Sequence, residues 1–266
     1  MHQSIPTLVM KFGGASVATP ERFAAIADVI LAKQHHYPRI VVVVSAMGNT
    51  TDELLSLARK VHPHPPRREQ DMLVSVGERI SISLLAMALD FKGKEAISFT
   101  GSQSGIITST EHAEAKIIDV RPHRLIQGLE AGKIVIVAGF QGVSQKGEIT
   151  TLGRGGSDTT AVALGVALQA EKVEFYKDVP GIFEQDPKLH PEAAMFERMS
   201  YDQALDMTRK GAKVLHHRCV ELAAKNGLPL HVLSFADQAK GTWIGVPSRE
   251  PSTQFYYEGV SEALCL

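Results

Sequence analysis

Short runs of β-branched residues alternate along the chain with longer amphipathic segments, and this alternation constrains the fold more than any other feature. Six runs have the length and composition of buried strands: residues 7–12, 40–45, 95–99, 134–139, 173–177 and 230–234. Six segments have helical periodicity: residues 20–33, 52–60, 69–89, 122–131, 159–170 and 213–226. Strands that alternate with helices form mainly parallel, layered sheets. We therefore predict an α/β fold.

Local signals mark several ends of these elements. Thr19 before Pro20 predicts an N-cap followed by proline at the first helical position. Ser200 with Gln203 three residues later matches a capping box. Residues 145–147 predict a tight turn between two strands of a hairpin.

Composition excludes several classes of partner. The chain has 266 residues, of which 44% are hydrophobic, and a net charge of −1 from 28 Lys+Arg and 29 Asp+Glu. This length allows one or two domains, and a balanced charge gives no electrostatic attraction to nucleic acid or to an anionic membrane. The two cysteines, Cys219 and Cys265, cannot form a disulfide framework, which favours a reducing, cytoplasmic compartment.

Targeting and metal-binding segments are not expected. The N-terminus runs through Pro6 into a predicted strand without the basic flank or cleavage site of a signal peptide, and the apolar run 40–44 is too short to cross a bilayer. His62 and His64 lie in a Pro/His loop, where a metal site is less expected than a solvated loop because cysteine and acidic ligands are not close in sequence.

A lysine and two glycines follow the first predicted strand, as Lys11, Phe12, Gly13 and Gly14. The glycines let backbone amides approach a polyphosphate, and the ammonium can neutralise the oxygens of a phosphoryl group in transfer. The spacing differs from that of a Walker A loop. Taken alone, these residues fit a purely structural turn as well as a phosphate site.

The stretch from Thr151 to Thr160 is more specific, because it places three glycines, Arg154, Ser157 and Asp158 immediately before an apolar helix. A helix N-terminus favours anions, and a guanidinium can bind a carboxylate through two parallel hydrogen bonds. The alternative is an ordinary loop whose Ser157 or Asp158 caps the helix. A cap, however, requires neither the arginine nor three glycines.

A third candidate extends from Tyr176 to Phe183 and on to residues 186–188. It runs from a strand into Pro180-Gly181, a dipeptide typical of a type II turn. Its aromatic and basic side chains suit a nucleotide, but composition alone does not separate nucleotide binding from a plain turn.

Together these stretches resemble the aspartate kinase branch of the amino acid kinase family, in matching order from about Thr7 to Gly245. The motifs that carry the resemblance are Lys11-Phe12-Gly13-Gly14, Val44-Ser45-Ala46-Met47, Gly77-Glu78-Arg79, Phe140-Gln141-Gly142-Val143, Thr151 through Thr160, Asp178-Val179-Pro180-Gly181 and Gly211-Ala212-Lys213-Val214-Leu215-His216.

The resemblance implies a three-layer αβα sandwich with a mainly parallel central sheet and ATP over the carboxyl ends of its strands. It implies transfer of the ATP γ-phosphoryl group, with Mg²⁺, to the side-chain carboxylate of L-aspartate. The product would be 4-phospho-L-aspartate, and the reaction would be the first step toward lysine, threonine and methionine. It also implies a homodimer. No side chain is assigned as a metal ligand, and neither nucleic acid nor a membrane is an expected partner.

The resemblance also assigns roles to individual residues. Lys11 and Asp158 are catalytic: Lys11 contacts the phosphoryl group, and Asp158 organises Lys11 and the metal-bound phosphates. Glu78 would bind the ammonium of aspartate and Arg154 one of its carboxylates. The substrate-binding set is Ser45, Thr51, Glu78, Arg154, Gly155, Gly156 and Ser157. The ATP-binding set is Lys11, Gly13, Gly14, Ser45, Ser157, Lys177, Asp178, Phe183, Lys188 and Lys213.

Several of these assignments have structural alternatives. Glu78 and Arg79 could form a solvated ion pair on a helix. Ser45 could be a hydrogen-bonding residue at a strand end. Phe183 could belong to the core, and Lys213 could be a surface lysine.

The chain departs from the usual family pattern at four positions. Ala15 replaces a threonine after the two glycines, and we expect activity to survive because Ser16 and the glycines remain. Lys177 stands where a small hydroxyl residue is common and Phe183 where tyrosine is common, so nucleotide contacts should differ. His217 stands where proline is usual.

The expected organisation is one catalytic domain over residues 1–247, with a tail or peripheral strand over 248–266. Aspartate kinases usually carry two C-terminal, ligand-sensing ACT domains, and 266 residues do not accommodate them. Feedback control through such domains is therefore expected to be absent, or the chain has been trimmed.

Two rival functions remain open from the sequence. One is a sister kinase of the same fold that phosphorylates another carboxylate. The other is a non-catalytic paralogue that binds nucleotide or a partner subunit, although such a protein has no physical need for Lys11, Glu78, Arg154 and Asp158 together.

Overall fold

A computed structural model describes residues 5–185, 187, 189–212, 214–235, 240–245 and 254–258. Twelve strands of these residues form two sheets: β1 (Thr7–Phe12), β2 (Arg39–Val44), β3 (Ala96–Phe99), β4 (Ile106–Thr108), β5 (Ile117–Val120), β6 (Ile134–Ala138), β7 (Gln141–Ser144), β8 (Ile149–Thr151), β9 (Lys172–Lys177), β10 (Arg198–Met199), β11 (Leu230–Ser234) and β12 (Gly241–Ile244).

The larger sheet has eight strands in the order β10-β12-β11-β9-β1-β2-β6-β3. All neighbouring strands are parallel except β11 and β12. Strand β1 lies between β2 and β9 near the centre, with Lys11 paired to Val43 on one side and Phe175 on the other. The predicted mainly parallel sheet is therefore confirmed.

The described residues form eight helices: α1 (Pro20–Lys33), α2 (Thr50–Val61), α3 (Arg67–Val74), α4 (Val76–Phe91), α5 (His123–Glu130), α6 (Gly156–Ala167), α7 (Tyr201–Arg209) and α8 (His217–Asn226). Helices α1 and α4 pack on one face of the sheet, while α5, α6 and α8 pack on the other. The result is the three-layer αβα sandwich that the sequence predicted.

The alternation of side chains along β1 explains how the two layers form. Leu8, Met10 and Phe12 point into the core beneath α1 and α4, whereas Val9 belongs to the core beneath α6. Successive side chains of a strand point to opposite faces, so Lys11 lies on the α6 face with Val9. This register brings a buried ammonium to the start of α6.

Most predicted elements agree with the structure to within a few residues, and three differ more. The single helix predicted over 69–89 is two helices, α3 and α4, which meet at Ser75. Helix α6 starts at Gly156 instead of residue 159, and α8 starts at His217 instead of residue 213. The earlier start of α6 places Ser157 and Asp158 inside its first turn.

The local signals were mostly correct. Ser200 and Gln203 form the predicted capping box, with Gln203 N–H donating to Ser200 Oγ at 3.1 Å and Ser200 N–H to Gln203 Oε1 at 2.8 Å. Pro20 begins α1, but the side chain of Thr19 makes no capping hydrogen bond to any described residue.

A second sheet of four strands, in the order β5-β4-β7-β8, was only partly foreseen. The sequence predicted the β7–β8 hairpin, in which Val143 pairs with Ile149, but not strands β4 and β5. Those two strands have three and four residues, which is too short for a periodicity to stand out.

Helices α3 and α4 follow each other along Arg67–Phe91, a stretch of 25 residues that contains an 18-residue window of mean hydropathy 1.6. By length and composition alone it could cross a membrane, which the sequence prediction overlooked. Ile82, Leu85 and Leu89 are buried in the core beneath α4, however, as in the core helices of many folded proteins, so the stretch is weak evidence for a membrane span.

The predicted domain boundary at Pro247 lies outside the described residues, as does most of the predicted tail. Residues 254–258 pack against the body of the domain without forming a strand. Asn226 at the end of α8 donates to Tyr256 O and accepts from Tyr256 N–H, both at 2.9 Å. These two bonds hold the segment beside α8.

Candidate active site

A cleft of ≈ 490 Å³ opens where β1, β2 and β6 end and α6 begins. In open α/β sheets, ligands bind at this carboxyl edge. The residues that line it are Lys11, Gly14, Ser45, Ala46, Gly48, Thr51, Asp52, Leu55, Arg59, Gln70, Asp71, Val74, Glu78, Ala113, Phe140, Thr151, Gly153, Arg154, Gly155, Gly156, Ser157 and Asp158.

Two lysines share the carboxylate of Asp158. Lys11 Nζ lies 2.6 Å from Asp158 Oδ1, and Lys177 Nζ lies 3.1 Å from Oδ2. Burial by itself would raise the pKa of Asp158, but the two ammonium groups outweigh it and lower this pKa to about 2. Burial lowers the pKa of Lys11, and Asp158 opposes that shift. The aspartate therefore stays ionised and helps to keep Lys11 protonated.

The first turn of α6 lies at the edge of the cleft, where the partial positive charge of a helix N-terminus favours an anion. Gly155 precedes the helix in the left-handed conformation, with φ 69°. A Cβ atom on Gly155 would lie only 2.2 Å from the Cβ and Cγ atoms of His216. Glycine at this position thus satisfies both the backbone angle and the close packing of the His216 ring.

The glycine turn after β1 packs closely on the loop after β2. Gly48 N–H donates to Gly14 O at 3.1 Å, and Ser16 N–H donates to Gly13 O at 2.9 Å. A Cβ on Gly14 would lie 3.1 Å from the carbonyl oxygens of both Ala46 and Gly48. The missing side chain therefore lets two backbone segments meet at the cleft.

Glu78 projects from the first turn of α4 into the cleft and is 2% exposed. Its Oε1 accepts from Ala46 N–H at 3.2 Å, and its Oε2 lies 3.5 Å from Gln141 Nε2. Burial raises the pKa of Glu78 to about 7, although these hydrogen bonds and the charge of Lys11 act in the opposite direction. The solvated Glu78–Arg79 ion pair considered from the sequence is wrong, because Glu78 is buried.

Asp71 is a buried acid of the cleft that sequence reasoning missed. It is 0% exposed, and it accepts from Thr151 Oγ1 at 2.5 Å, from Ala113 N–H at 3.1 Å and pairs with His112 Nδ1 at 2.7 Å. Ala113 has a positive φ of 68°, so Asp71 holds an unfavourable backbone conformation beside Gly153. An acidic residue on the buried face of a predicted helix was the available signal.

Phe140 is a second residue in a rare conformation at the cleft, with φ 70°. Its N–H donates to Thr160 Oγ1 at 3.1 Å, and its carbonyl accepts from Leu152 N–H at 2.9 Å. These bonds connect the end of β6 to α6 and to the glycine-rich loop. Non-glycine residues with positive φ concentrate at functional sites.

The structure brings most of the predicted site residues together. Around the cleft lie Lys11, Gly14, Ser45, Thr51, Glu78, Arg154, Gly155, Gly156, Ser157 and Asp158. Gly13, Lys177, Asp178 and Phe183 are not among its walls, although Lys177 reaches Asp158 and Gly13 lies next to Gly14. Lys188 and Lys213 lie outside the described residues.

Ser45 and Phe183 each had a structural alternative to a binding role: a hydrogen-bonding residue at a strand end for Ser45 and a core residue for Phe183. Ser45 N–H donates to Phe12 O at 3.2 Å at the end of β2, and the residue also lines the cleft. Phe183 is half-buried and pairs with Met195 in an isolated bridge. The binding roles of both residues stay predictions.

The architecture and the site together define the class of protein. A mostly parallel sheet, helices on both faces and a cationic, glycine-rich cleft at its carboxyl edge characterise α/β proteins that bind anionic ligands above the sheet. The chain belongs to the amino acid kinase family, whose model matches residues 6–234.

Individual relatives make the similarity more specific. The chain is 53% identical over 236 residues to an aspartokinase of Mycolicibacterium smegmatis, covering 88% of this chain and 56% of the relative. It is 50% identical over 237 residues to aspartokinase 2 of Bacillus subtilis, covering 89% of this chain and 58% of the relative. The chain thus spans little more than half the length of these curated relatives.

Solved structures of aspartate kinases have the same fold. The aspartate kinase from Synechocystis superposes with a TM-score of 0.82 at 48% identity, covering 92% of this chain and 41% of that one. E. coli aspartokinase III in complex with aspartate and ADP superposes with a TM-score of 0.82 at 27% identity, covering 92% of this chain and 65% of that one.

The packing at Gly155 generates a test of the loop before α6. Gly155→Ala should lower the free energy of unfolding by about 3 kcal/mol, because an alanine at positive φ costs ~1–2 kcal/mol and its overlap with His216 adds about as much again. Gly147→Ala is the matched control, since Gly147 has φ 81° and nothing lies within 4 Å of a Cβ there. Urea denaturation of both variants measures the difference, and equal losses would contradict the packing argument.

Proposed function

We propose that this chain is the catalytic region of an ATP-dependent aspartate kinase. It transfers the γ-phosphoryl group of ATP to the side-chain carboxylate of L-aspartate and gives 4-phospho-L-aspartate and ADP. The 4-phospho-L-aspartate would be the precursor for the synthesis of lysine, threonine and methionine. The observation that carries the proposal is the convergence of Lys11, Glu78, Arg154 and Asp158 on one cleft. Aspartokinases about half identical to this chain support the choice of substrate.

Charge distribution in the cleft suits an amino acid with two carboxylates. Glu78 offers a buried carboxylate to the substrate ammonium, and the exposed guanidinium of Arg154 offers a planar pair of donors to a substrate carboxylate. The second carboxylate is then directed toward Lys11 and the first turn of α6. A substrate held at both ends is oriented for attack, which is the main source of rate in such a reaction.

The chemistry requires no general base. The acceptor carboxylate of aspartate is already ionised at pH 7, so the barrier arises from bringing an anion to an anionic phosphoryl group. Lys11 and the backbone amides of the glycine turn neutralise charge that develops on the transferring oxygens. Asp158 holds the Lys11 ammonium in place and does not itself react.

The described residues do not fit a resident metal site. They contain no group of three His, Cys, Asp or Glu side chains placed to hold an ion, and the carboxylate of Asp158 is occupied by two ammonium groups. Mg²⁺ therefore enters the proposal as part of the MgATP substrate, carried by its phosphates.

The remaining expectations from the sequence stay predictions. They are a homodimer, a cytoplasmic location, the lack of nucleic-acid and membrane partners, and ATP contacts by Lys177, Asp178, Phe183, Lys188 and Lys213.

The proposal predicts aspartate-dependent release of ADP together with an acyl phosphate product. The assay couples ADP release to NADH oxidation and, in parallel, traps the acyl phosphate with hydroxylamine as a coloured hydroxamate. Glutamate, N-acetylglutamate and aspartate 4-amide serve as alternative acceptors. Turnover of one of these in preference to aspartate would support the sister-kinase alternative, and ATP binding without any turnover would support a non-catalytic paralogue.

Lys11→Ala should reduce kcat by on the order of a hundredfold or more, the scale measured when one donor to a developing oxyanion is removed. Steady-state kinetics at saturating aspartate and ATP provide the value. Lys60→Ala, which removes an exposed lysine from α2, is the control and should leave kcat unchanged. Turnover of Lys11→Ala close to that of the unmodified chain would remove Lys11 from its proposed role.

Aspartate binding should weaken as the pH falls through 7. Burial raises the pKa of Glu78 to about 7, so the carboxylate is ionised above this pH and protonated below it, where it no longer attracts an ammonium. The dissociation constant of aspartate should rise roughly tenfold for each pH unit below the pKa. Calorimetry with aspartate alone avoids the titration of ATP. Glu78→Gln should bind weakly at every pH, and a similar pH dependence in this variant would exclude Glu78 as the cause.

A further inference from the structure

Arg218, the second residue of α8, lies outside the walls of the cleft and joins three separate parts of the chain. Its Nε donates to Glu258 Oε1 at 2.5 Å, and its Nη2 donates to Glu258 Oε2 at 2.9 Å and to Ala115 O at 2.8 Å. Its Nη1 donates to Leu152 O. The guanidinium thus uses every one of its nitrogens in a partly buried position.

The two carbonyl acceptors belong to the segments that support Arg154. Leu152 directly precedes Gly153 and Arg154 in the glycine-rich loop. Ala115 N–H donates to Thr151 O at 2.9 Å, one residue further back. Arg218 does not line the cleft, so it holds the loop from outside the cleft, at the last residue before the backbone turns through its glycines.

Glu258 supplies the counter-charge and is itself tightly held. Its N–H donates to Ile117 O at 2.9 Å, and its Oε2 accepts from Ile117 N–H at 2.9 Å. The side chains of Arg218 and Glu258 are 17% and 10% exposed. A bidentate Arg–carboxylate pair fixes the plane of the guanidinium, so the segment that contains Glu258 determines where Arg218 directs its remaining donors.

The start of α8 contacts the same loop a second time through His216, whose ring occupies the space left by Gly155. The guanidinium of Arg218 contacts Leu152 just before Gly153-Arg154, and the imidazole of His216 packs on Gly155 just after it. The two side chains thus support the loop at both ends. Nothing in the proposed reaction uses Arg218 or Glu258 directly. Their geometry nevertheless controls the residue that is proposed to bind a substrate carboxylate.

We propose that the Arg218–Glu258 pair is a positioning device for Arg154. By holding Leu152 and Ala115, it fixes the glycine-rich loop so that the Arg154 guanidinium faces the carboxylate of the substrate. This function rests on the proposed aspartate kinase activity, whereas the mechanical part, the immobilisation of the loop, does not depend on it. Arg218 and Glu258 touch neither substrate nor ATP.

The kinetic test uses Glu258→Gln in the full chain, which keeps the size of the side chain and removes its charge. Because misplacement of a binding group by about 1 Å can cost roughly ten- to a hundredfold, KM for aspartate should rise about tenfold. KM for ATP should stay within about twofold, because the loop contributes to the carboxylate side of the cleft. Glu258→Asp retains the charge, and its KM for aspartate should lie between that of the unmodified chain and that of Glu258→Gln. Arg154→Ala gives the upper limit of the rise in KM for aspartate.

Asp206→Asn is the matched control, because it breaks an exposed ion pair with Arg209 on the neighbouring helix α7, with side chains 65% and 67% exposed. It should change neither KM. An equal rise of both KM values in Glu258→Gln, or no rise in either, would overturn the proposal. A retained thermal unfolding transition shows that each variant is folded, and Glu258→Asp replaces Glu258→Gln if the latter is not.

Hydrogen exchange tests the positioning device without reference to activity. Amides of residues 152–158 should exchange about tenfold faster in Glu258→Gln than in the unmodified chain or in Asp206→Asn, since local opening sets their protection. Unchanged exchange would refute the device even if kinetics changed. Faster exchange in a chain that does not phosphorylate aspartate would retain the device and reject the proposed function.

Discussion

The carboxylate of Asp158 between two ammonium groups is the interaction on which the cleft depends. An isolated buried lysine loses its proton and an isolated buried aspartate gains one. Here Lys11 and Asp158 are 5% and 6% exposed, and each stabilises the charge of the other. The strand register that points Lys11 toward α6 and the early start of α6 at Gly156 are both required for this pair. Removal of the Asp158 carboxylate would leave the buried Lys11 ammonium without its paired anion, whereas removal of Lys11 would leave Asp158 with Lys177 as its remaining ion-pair partner.

The same cleft gives a second carboxylate the opposite character. Burial dominates at Glu78, whose pKa rises to about 7, whereas the lysines dominate at Asp158, whose pKa falls to about 2. Two carboxylates of one site with separated pKa values usually have different roles. Asp158 is a permanent anion that organises cations. Glu78 changes its charge near pH 7, and a cation bound beside it would favour the ionised form, which suits a group proposed to receive the ammonium of an amino acid.

The sequence was sufficient for the architecture and for the centre of the site. Buried strands with β-branched residues and helices with clear periodicity are local properties, so six of the eight strands of the large sheet and most helices were predicted, whereas its strands β10 and β12 were not. In the small second sheet the β7–β8 hairpin was predicted, but β4 and β5 were missed because the pairing of short strands depends on tertiary contacts. Asp71 was missed for a similar reason: its partners His112, Ala113 and Thr151 are 41, 42 and 80 residues away. The contact of Arg218 with Glu258 likewise spans 40 residues of chain.

Lys177 shows how a substitution can be compatible with the fold and still change the site. The change in nucleotide contacts expected at this position stays a prediction. Lys177 ends β9, and its ammonium lies 3.1 Å from Asp158 Oδ2. One carboxylate thus holds two ammonium groups at neighbouring oxygens. A phosphoryl group that approached Lys11 would meet cations already oriented, so the protein would reorganise little when charge develops during transfer. Preorganised charge of this kind is the largest contribution to catalysis in many enzymes, and in this chain it follows from three side chains on two adjacent strands and one helix.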